Sequence, residues 1–137
     1  MSAYTQVNLD GLRDKEALLY SLRQMGFDPQ VFETGRELVG FSGHVNPKCE
    51  VILPPSQLRE LRCYKEVGFE HKQTTGLFQL HINDMDAHKF SDEWKEELQL
   101  NYNAGLARRR AQQMGRRVVT SKRTVVNGRK HIQLVCQ

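Results

Sequence analysis

Four side chains that could hold a metal ion fall within one stretch of eight residues: His81, Asp84, Asp86 and His88. Imidazole and carboxylate donors together suit zinc or another divalent cation. A closed site would need the loop to turn all four inward, and the spacing matches no metal-site pattern. An exposed polar loop is the plainer account. Cys49, Cys63, His44 and His71 offer a second donor set, without the Cys-x-x-Cys spacing of structural zinc sites. Nucleophilic catalysis would need a thiolate beside an imidazole and an oxyanion site. Cys63 could meet His71 or His81 across a hairpin, yet buried structural cysteines are much commoner. No Walker-type loop occurs. Gly40-Phe41-Ser42-Gly43 is a glycine-rich turn that does not open a helix, which is weak ground for a phosphate cradle. The pairs Asp92–Glu93 and Glu96–Glu97 read as helix surface. No cofactor and no catalytic group are expected.

The basic residues make a stronger pattern. Leu98–Gln137 contains nine Lys or Arg and no Asp or Glu, whereas the preceding residues hold eleven bases and all sixteen acids, a net of −5. Such asymmetry points to an acidic partner. Phosphate contacts need cations arrayed over several charge spacings, and a helix followed by a hairpin supplies that. The expected contacts are Arg108, Arg109, Arg110, Arg116, Arg117, Lys122, Arg123 and Arg129. Reversing the charge of Arg109 and Arg116 is expected to abolish binding. Base stacking would want exposed aromatics, and Tyr102, alone in the segment, is assigned to the core. The competing explanation is a basic surface that balances the acidic body, within one protomer or across an oligomer contact.

These side chains depend on a helix and a hairpin. Ser91 can cap a helix start, with Asp92 and Glu93 against its positive end. Trp94, Leu98 and Tyr102 recur at i, i+4, and Leu100, Ala104, Ala107 and Ala111 form a neighbouring seam. With Gly115 as a stop, the pattern predicts a helix over about residues 92–114, roughly 34 Å long. Arg108, Arg109 and Arg110 must fan over about 200°, so they cannot share one face. Arg117–Val126 and His131–Cys136 read as strands around the Asn127-Gly128 turn signal. Ile132, Leu134 and Cys136 would face inward. A two-residue turn sets Ser121 and Arg123 opposite Leu134 and Ile132; a three-residue loop sets Thr120 and Lys122 there instead.

Upstream, Tyr4–Leu9 reads as a strand, and Asp14 caps a helix that stops at Gly26. Strands follow at Gln30–Glu33, Glu37–Phe41 and Cys49–Leu53, then a helical turn over Ser56–Arg62. Tyr64–Glu70 and Leu77–Ile82 form a hairpin. The expected fold is α+β, a mainly antiparallel sheet with two principal helices on one face, in the order β-α-β-β-β-β-β-α-β-β. A length of 137 residues suits a single domain, and 39% hydrophobic with 26% charged residues suits a soluble one. No apolar run approaches the ~18 residues of a membrane span, and no signal peptide is evident. Three widely spaced cysteines argue for a reducing, cytoplasmic compartment.

The order of short motifs resembles one family. Met1–Tyr4, Leu22-Arg23-Gln24-Met25-Gly26-Phe27, Leu38-Val39-Gly40-Phe41-Ser42-Gly43 and Tyr64-Lys65-Glu66-Val67-Gly68-Phe69 are among these motifs. Tyr102 with its Ala- and Arg-rich helix, Gly115, Val118-Val119 and Ile132-Gln133-Leu134-Val135 complete the set. Together they resemble the conserved hypothetical chloroplast reading frame thirty-five family of plastids, cyanobacteria, other bacteria and phages. The chain departs from it in the Pro54–Arg62 insertion, in Asp86-Ala87-His88 and in a more basic tail. The family has no established activity; its members often sit beside AAA-type ATPases and small ubiquitin-like proteins, which implies an accessory role. Residues and resemblance together predict a non-enzymatic binding protein whose acidic partner is nucleic acid, RNA ahead of DNA. The alternatives are an adaptor for an AAA-type ATPase or ubiquitin-like partner, and a small-nucleotide-binding protein.

Overall fold

Two side-chain caps and two glycines set the limits of the helices. Asp14 accepts a hydrogen bond from Ala17 N at 2.9 Å, and α1 spans Lys15–Gln24. Ser91 accepts from Trp94 N at 3.1 Å, and α2 spans Asp92–Gln113. Both helices end alike. The N–H groups of Gly26 and Phe27 donate to the Arg23 and Leu22 carbonyls, and those of Gly115 and Arg116 to Gln112 and Ala111. Gly26 and Gly115 have φ of 93° and 75°, the left-handed conformation that this closure requires and that glycine adopts without steric cost.

The computed structural model describes residues 4–7, 9, 11–40 and 46–137. Five strands, β1 (Tyr4–Val7), β2 (Gln30–Glu37), β3 (Lys48–Leu53), β4 (Val67–Lys72) and β5 (Leu77–Asn83), form an antiparallel sheet. Its spatial order is β1-β5-β4-β3-β2. Through α1 the chain passes from one edge strand to the other, then meanders back until β5 pairs with β1. Leu18 and Leu22 of α1 and Leu98 and Tyr102 of α2 pack with Val51, Phe69 and Leu80 in one buried cluster, so both helices cover the same face. The α+β class and antiparallel sheet expected from the sequence are what the chain adopts.

Three local features differ from the expectation, each for a visible reason. The short strands expected at Gln30–Glu33 and Glu37–Phe41 join as β2, whose pairing with β3 shifts between Val31 and Arg36, around Gly35 at φ 80°. Phe41 itself lies outside the described residues. β4 begins at Val67 rather than Tyr64, because the N–H groups of Tyr64 and Lys65 donate to the Asp86 carboxylate instead of a neighbouring strand. The turn expected over Ser56–Arg62 is a 3₁₀ turn at Pro55–Gln57, directly after Pro54.

The last two strands, β6 (Val118–Val126) and β7 (Arg129–Cys136), form a separate two-stranded ribbon. Asn127 and Gly128 take φ of 52° and 75°, which gives the two-residue turn its right-handed match to the strands. Ser121 therefore pairs with Leu134 and Arg123 with Ile132, and a bulge at Val119 absorbs one extra residue. Arg117 and Gln137 exchange backbone hydrogen bonds of 2.8 and 2.9 Å at the open end.

The ribbon packs on α2. Its tip, Gly128, lines a cleft with Glu93 and Glu96, so the ribbon runs back along the helix towards its N-terminal half. The eight residues of β7 cover about 27 Å, so the ribbon spans most of the ~33 Å length of α2. The two apolar seams of α2 now have separate partners. Leu98 and Tyr102 face the body, while Leu100, Ala104 and Ala107 face Ile132 of the ribbon. Gly105 lets α1 approach closely: a Cβ there would lie 3.1 Å from the Ala17 Cα and 3.0 Å from the Tyr20 Cδ1.

Candidate nucleic-acid interface

The metal-type side chains of the 81–88 stretch are placed apart. His81, on β5, is buried, with Nε2 2.9 Å from Glu70 Oε1. Burial lowers its pKa against the raising pull of Glu70, and Lys72 lowers it further, so the ring is neutral near pH 7 and donates to that carboxylate. Asp84 is exposed and accepts a hydrogen bond from the Thr5 hydroxyl, and His88 is exposed in a 3₁₀ turn. Asp86 is wholly buried and accepts from Tyr64 N, Lys65 N and Lys89 Nζ, the last at 2.8 Å. Its burial would raise the pKa, but those donors and the Lys89 charge outweigh it and hold the carboxyl below the usual range. Asp86 is thus an anchor that ties the loop before β4 to the loop after β5. Among the described residues, no three His, Cys, Asp or Glu side chains are placed to share a cation.

The thiols are similarly placed for structure. Burial pushes the Cys63 thiol up to about 11, helped by Asp86 and opposed by Lys89. Cys49 is fully buried against Gly68, and burial raises its pKa as well. His71 packs its ring 5.0 Å from that of Phe78. Phe41, Ser42, Gly43 and His44, which carry the phosphate-turn and second metal readings, lie outside the described residues.

The basic segment divides into two groups. Three of its arginines turn back to the rest of the chain. The Arg108 guanidinium lies over the Tyr20 ring, 5.2 Å from its centroid. Arg109 forms an ion pair with Asp14, the residue that caps α1. Arg123 reaches Glu97 of α2 from the inner face of the ribbon; its charge-assisted hydrogen bond is the main reason that the Glu97 pKa lies below the ordinary value. Arg110, Arg116, Arg117, Lys122 and Arg129 are exposed, and none of them has an ion-pair partner among the described residues. Arg110 lies at the end of α2, Arg116 and Arg117 at the open end of the ribbon, Lys122 on its outer face, and Arg129 at its tip beside the α2 acids.

The ribbon's two faces are chemically different. Ile132, Leu134 and Cys136 are half-buried, while Gln133 and Val135 between them are exposed. The inner face therefore holds these three with Arg123 and Lys130. Cross-strand partners share a face, so Thr120, Lys122 and Thr124 lie outward with Val135, Gln133 and His131. Between the inner side and α2 lies a cleft of about 360 Å³, with Glu93, Glu96 and Glu97 on one wall and Arg129 and Lys130 on the other. The acids of the helix thus face Arg129 and Lys130, and β6 and β7 carry no acid of their own.

No family model, no curated protein and no solved structure matches this chain. What it can do chemically rests on its own geometry. Sequence reasoning identified the cations but not their division, because Asp14 and Glu97 lie far from Arg109 and Arg123 in the chain. Lys130 was not among the expected site residues; its inward position beside Glu97 follows from the alternation of β7. The role of the Tyr102 hydroxyl, which accepts from Arg13 N and Asp14 N, has no signal in residue spacing.

Proposed function

We propose that this chain is a non-enzymatic accessory protein that grips the phosphate backbone of nucleic acid with the end of α2 and the β6–β7 ribbon. One observation carries the reading: Arg110, Arg116, Arg117 and Lys122 are exposed, unpaired among the described residues and outside the cleft that the α2 acids line, in a segment without a single acid. Tyr102 is buried, so the segment offers no aromatic platform for unstacked bases. That favours backbone contact over single-strand reading.

The test is affinity for labelled RNA and DNA duplexes. At ~0.1 M salt each phosphate contact contributes about eightfold by counterion release. A variant with Arg116, Arg117 and Lys122 all changed to Glu should therefore bind at least roughly 500-fold more weakly. Arg109→Ala should bind as the parent does, because its guanidinium already serves Asp14. Unchanged affinity in the triple variant would refute the proposal.

A second reading, the protein adaptor for an AAA-type ATPase or ubiquitin-like partner, is favoured by a different surface. A cleft of about 650 Å³ lies between the end of α1 and the Pro55–Gln57 turn, lined by Met25, Phe27, Leu61 and Trp94. Gln57 braces it by exchanging two hydrogen bonds of 2.7 Å with the Asp28 backbone. Membership of the family that the motifs resemble belongs with this reading. Capture of such a partner that survives high salt and is lost in Trp94→Ala would support it.

A further inference from the structure

We infer that the outer face of the β6–β7 ribbon reads the major groove of duplex DNA. This rests on the phosphate-binding reading above and names which nucleic acid the surface fits and how.

The inner face is committed to α2, so a partner meets the outer one. That face presents Thr120 and Lys122 from β6 beside Gln133 from β7; Thr124 and His131 pair on the same side but also line the clefts against α2, as does Arg129 at the tip. These side chains match base edges. Lys and Arg donate to guanine O6 and N7, Gln pairs in a bidentate way with adenine, and Thr serves either. Val126 and Val135, both about half-exposed at 52% and 51%, offer apolar contact to thymine methyls on the same face.

The geometry of the ribbon fits the same groove. Outward side chains on one strand recur every ~6.8 Å, about two base-pair steps of ~3.4 Å. A two-stranded ribbon fits the ~12 Å major groove of B-form DNA, whereas the major groove of A-form RNA is too deep and narrow for it. Arg116 and Arg117 at the ribbon's open end, and Arg110 at the end of α2, are placed to hold the phosphates at the groove wall. Glu93, Glu96 and Glu97 lie on the opposite side, in the cleft under the ribbon, and would repel a duplex from it. The charge pattern thus selects the outer face. The RNA preference expected from the sequence, which rested on short shape-based contacts, gives way in this proposal to DNA because of the groove the ribbon fits.

The experiment is selection by the full chain from a pool of random-sequence DNA duplexes. Affinities for the selected duplex, an unselected duplex and the RNA duplex of the selected sequence follow. The pool should converge on a short motif, with the selected DNA bound at least about tenfold tighter than its RNA counterpart. Gln133→Ala and, separately, Lys122→Ala should each lower affinity for the selected duplex by about tenfold. Gln133→Ala should leave the unselected duplex unaffected. Equal binding of RNA and DNA duplexes without convergence would overturn this inference and leave the phosphate grip standing. No binding to any duplex would overturn both.

Discussion

Tyr102→Phe removes one oxygen from the core and tests how α2 holds the start of α1. Tyr102 is 2% exposed, and its hydroxyl accepts from Arg13 N at 2.8 Å and Asp14 N at 2.9 Å. These N–H groups immediately precede the helix that Asp14 caps. In the variant both lose their acceptor, and the ring that fills the core is unchanged. An unsatisfied buried donor costs about 1–3 kcal/mol, and both bonds are only part-buried, so water can recover some of this. The expected loss is about 2 kcal/mol. With a urea m-value of about 2 kcal/mol/M, the unfolding midpoint should fall by about 1 M. Urea denaturation followed by circular dichroism reads this directly. A midpoint within about 0.2 M of the parent would show that the hydroxyl does not fasten the two helices.

Three further outcomes follow from the same packing. Gly105→Ala should destabilise by about 1–2 kcal/mol, although alanine is the better helix former, because the added methyl would press on the Ala17 backbone; a raised melting temperature would contradict the close helix contact. The Asp86 carboxyl has its pKa held below the ordinary 3.8, so its stabilisation is present above the unfolded pKa and is lost as pH falls through the folded one. Asp86→Asn should lower stability near neutral pH and flatten its dependence below about pH 4, and urea midpoints that vary with acid as in the parent would contradict this. Arg109→Ala should cost up to about 1 kcal/mol, the range of a partly exposed ion pair, and leave duplex affinity unchanged; a large loss of affinity at unchanged stability would assign Arg109 to the interface.

Much of the fold was legible because its signals are local. Asp14, Ser91, Gly26 and Gly115 mark helix ends, and Asn127-Gly128 fixes the last turn by backbone conformation alone. The register of the ribbon was not legible. Placing Arg123 opposite Ile132 conflicts with simple alternation, and only Glu97, on another element, resolves it. For the same reason, net charge identified the basic segment but could not divide it. Arg109 and Arg123 are neutralised by carboxylates of distant segments, whereas Arg116 and Lys122 have no carboxylate partner among the described residues. Asp86 shows the converse: its residue type suggested a metal ligand, and its partners are two backbone N–H groups and a lysine.

The most direct test of the phosphate grip is the salt dependence of duplex DNA binding by the full chain. Four exposed cations outside the acidic cleft, unpaired among the described residues, at about 0.9 each give a slope of about −3.6 for log affinity against log salt. Between ~50 and ~200 mM salt, affinity should then fall by roughly 150-fold. A slope near zero, or no binding at the lower salt, would contradict the claim that these cations form a phosphate-binding surface.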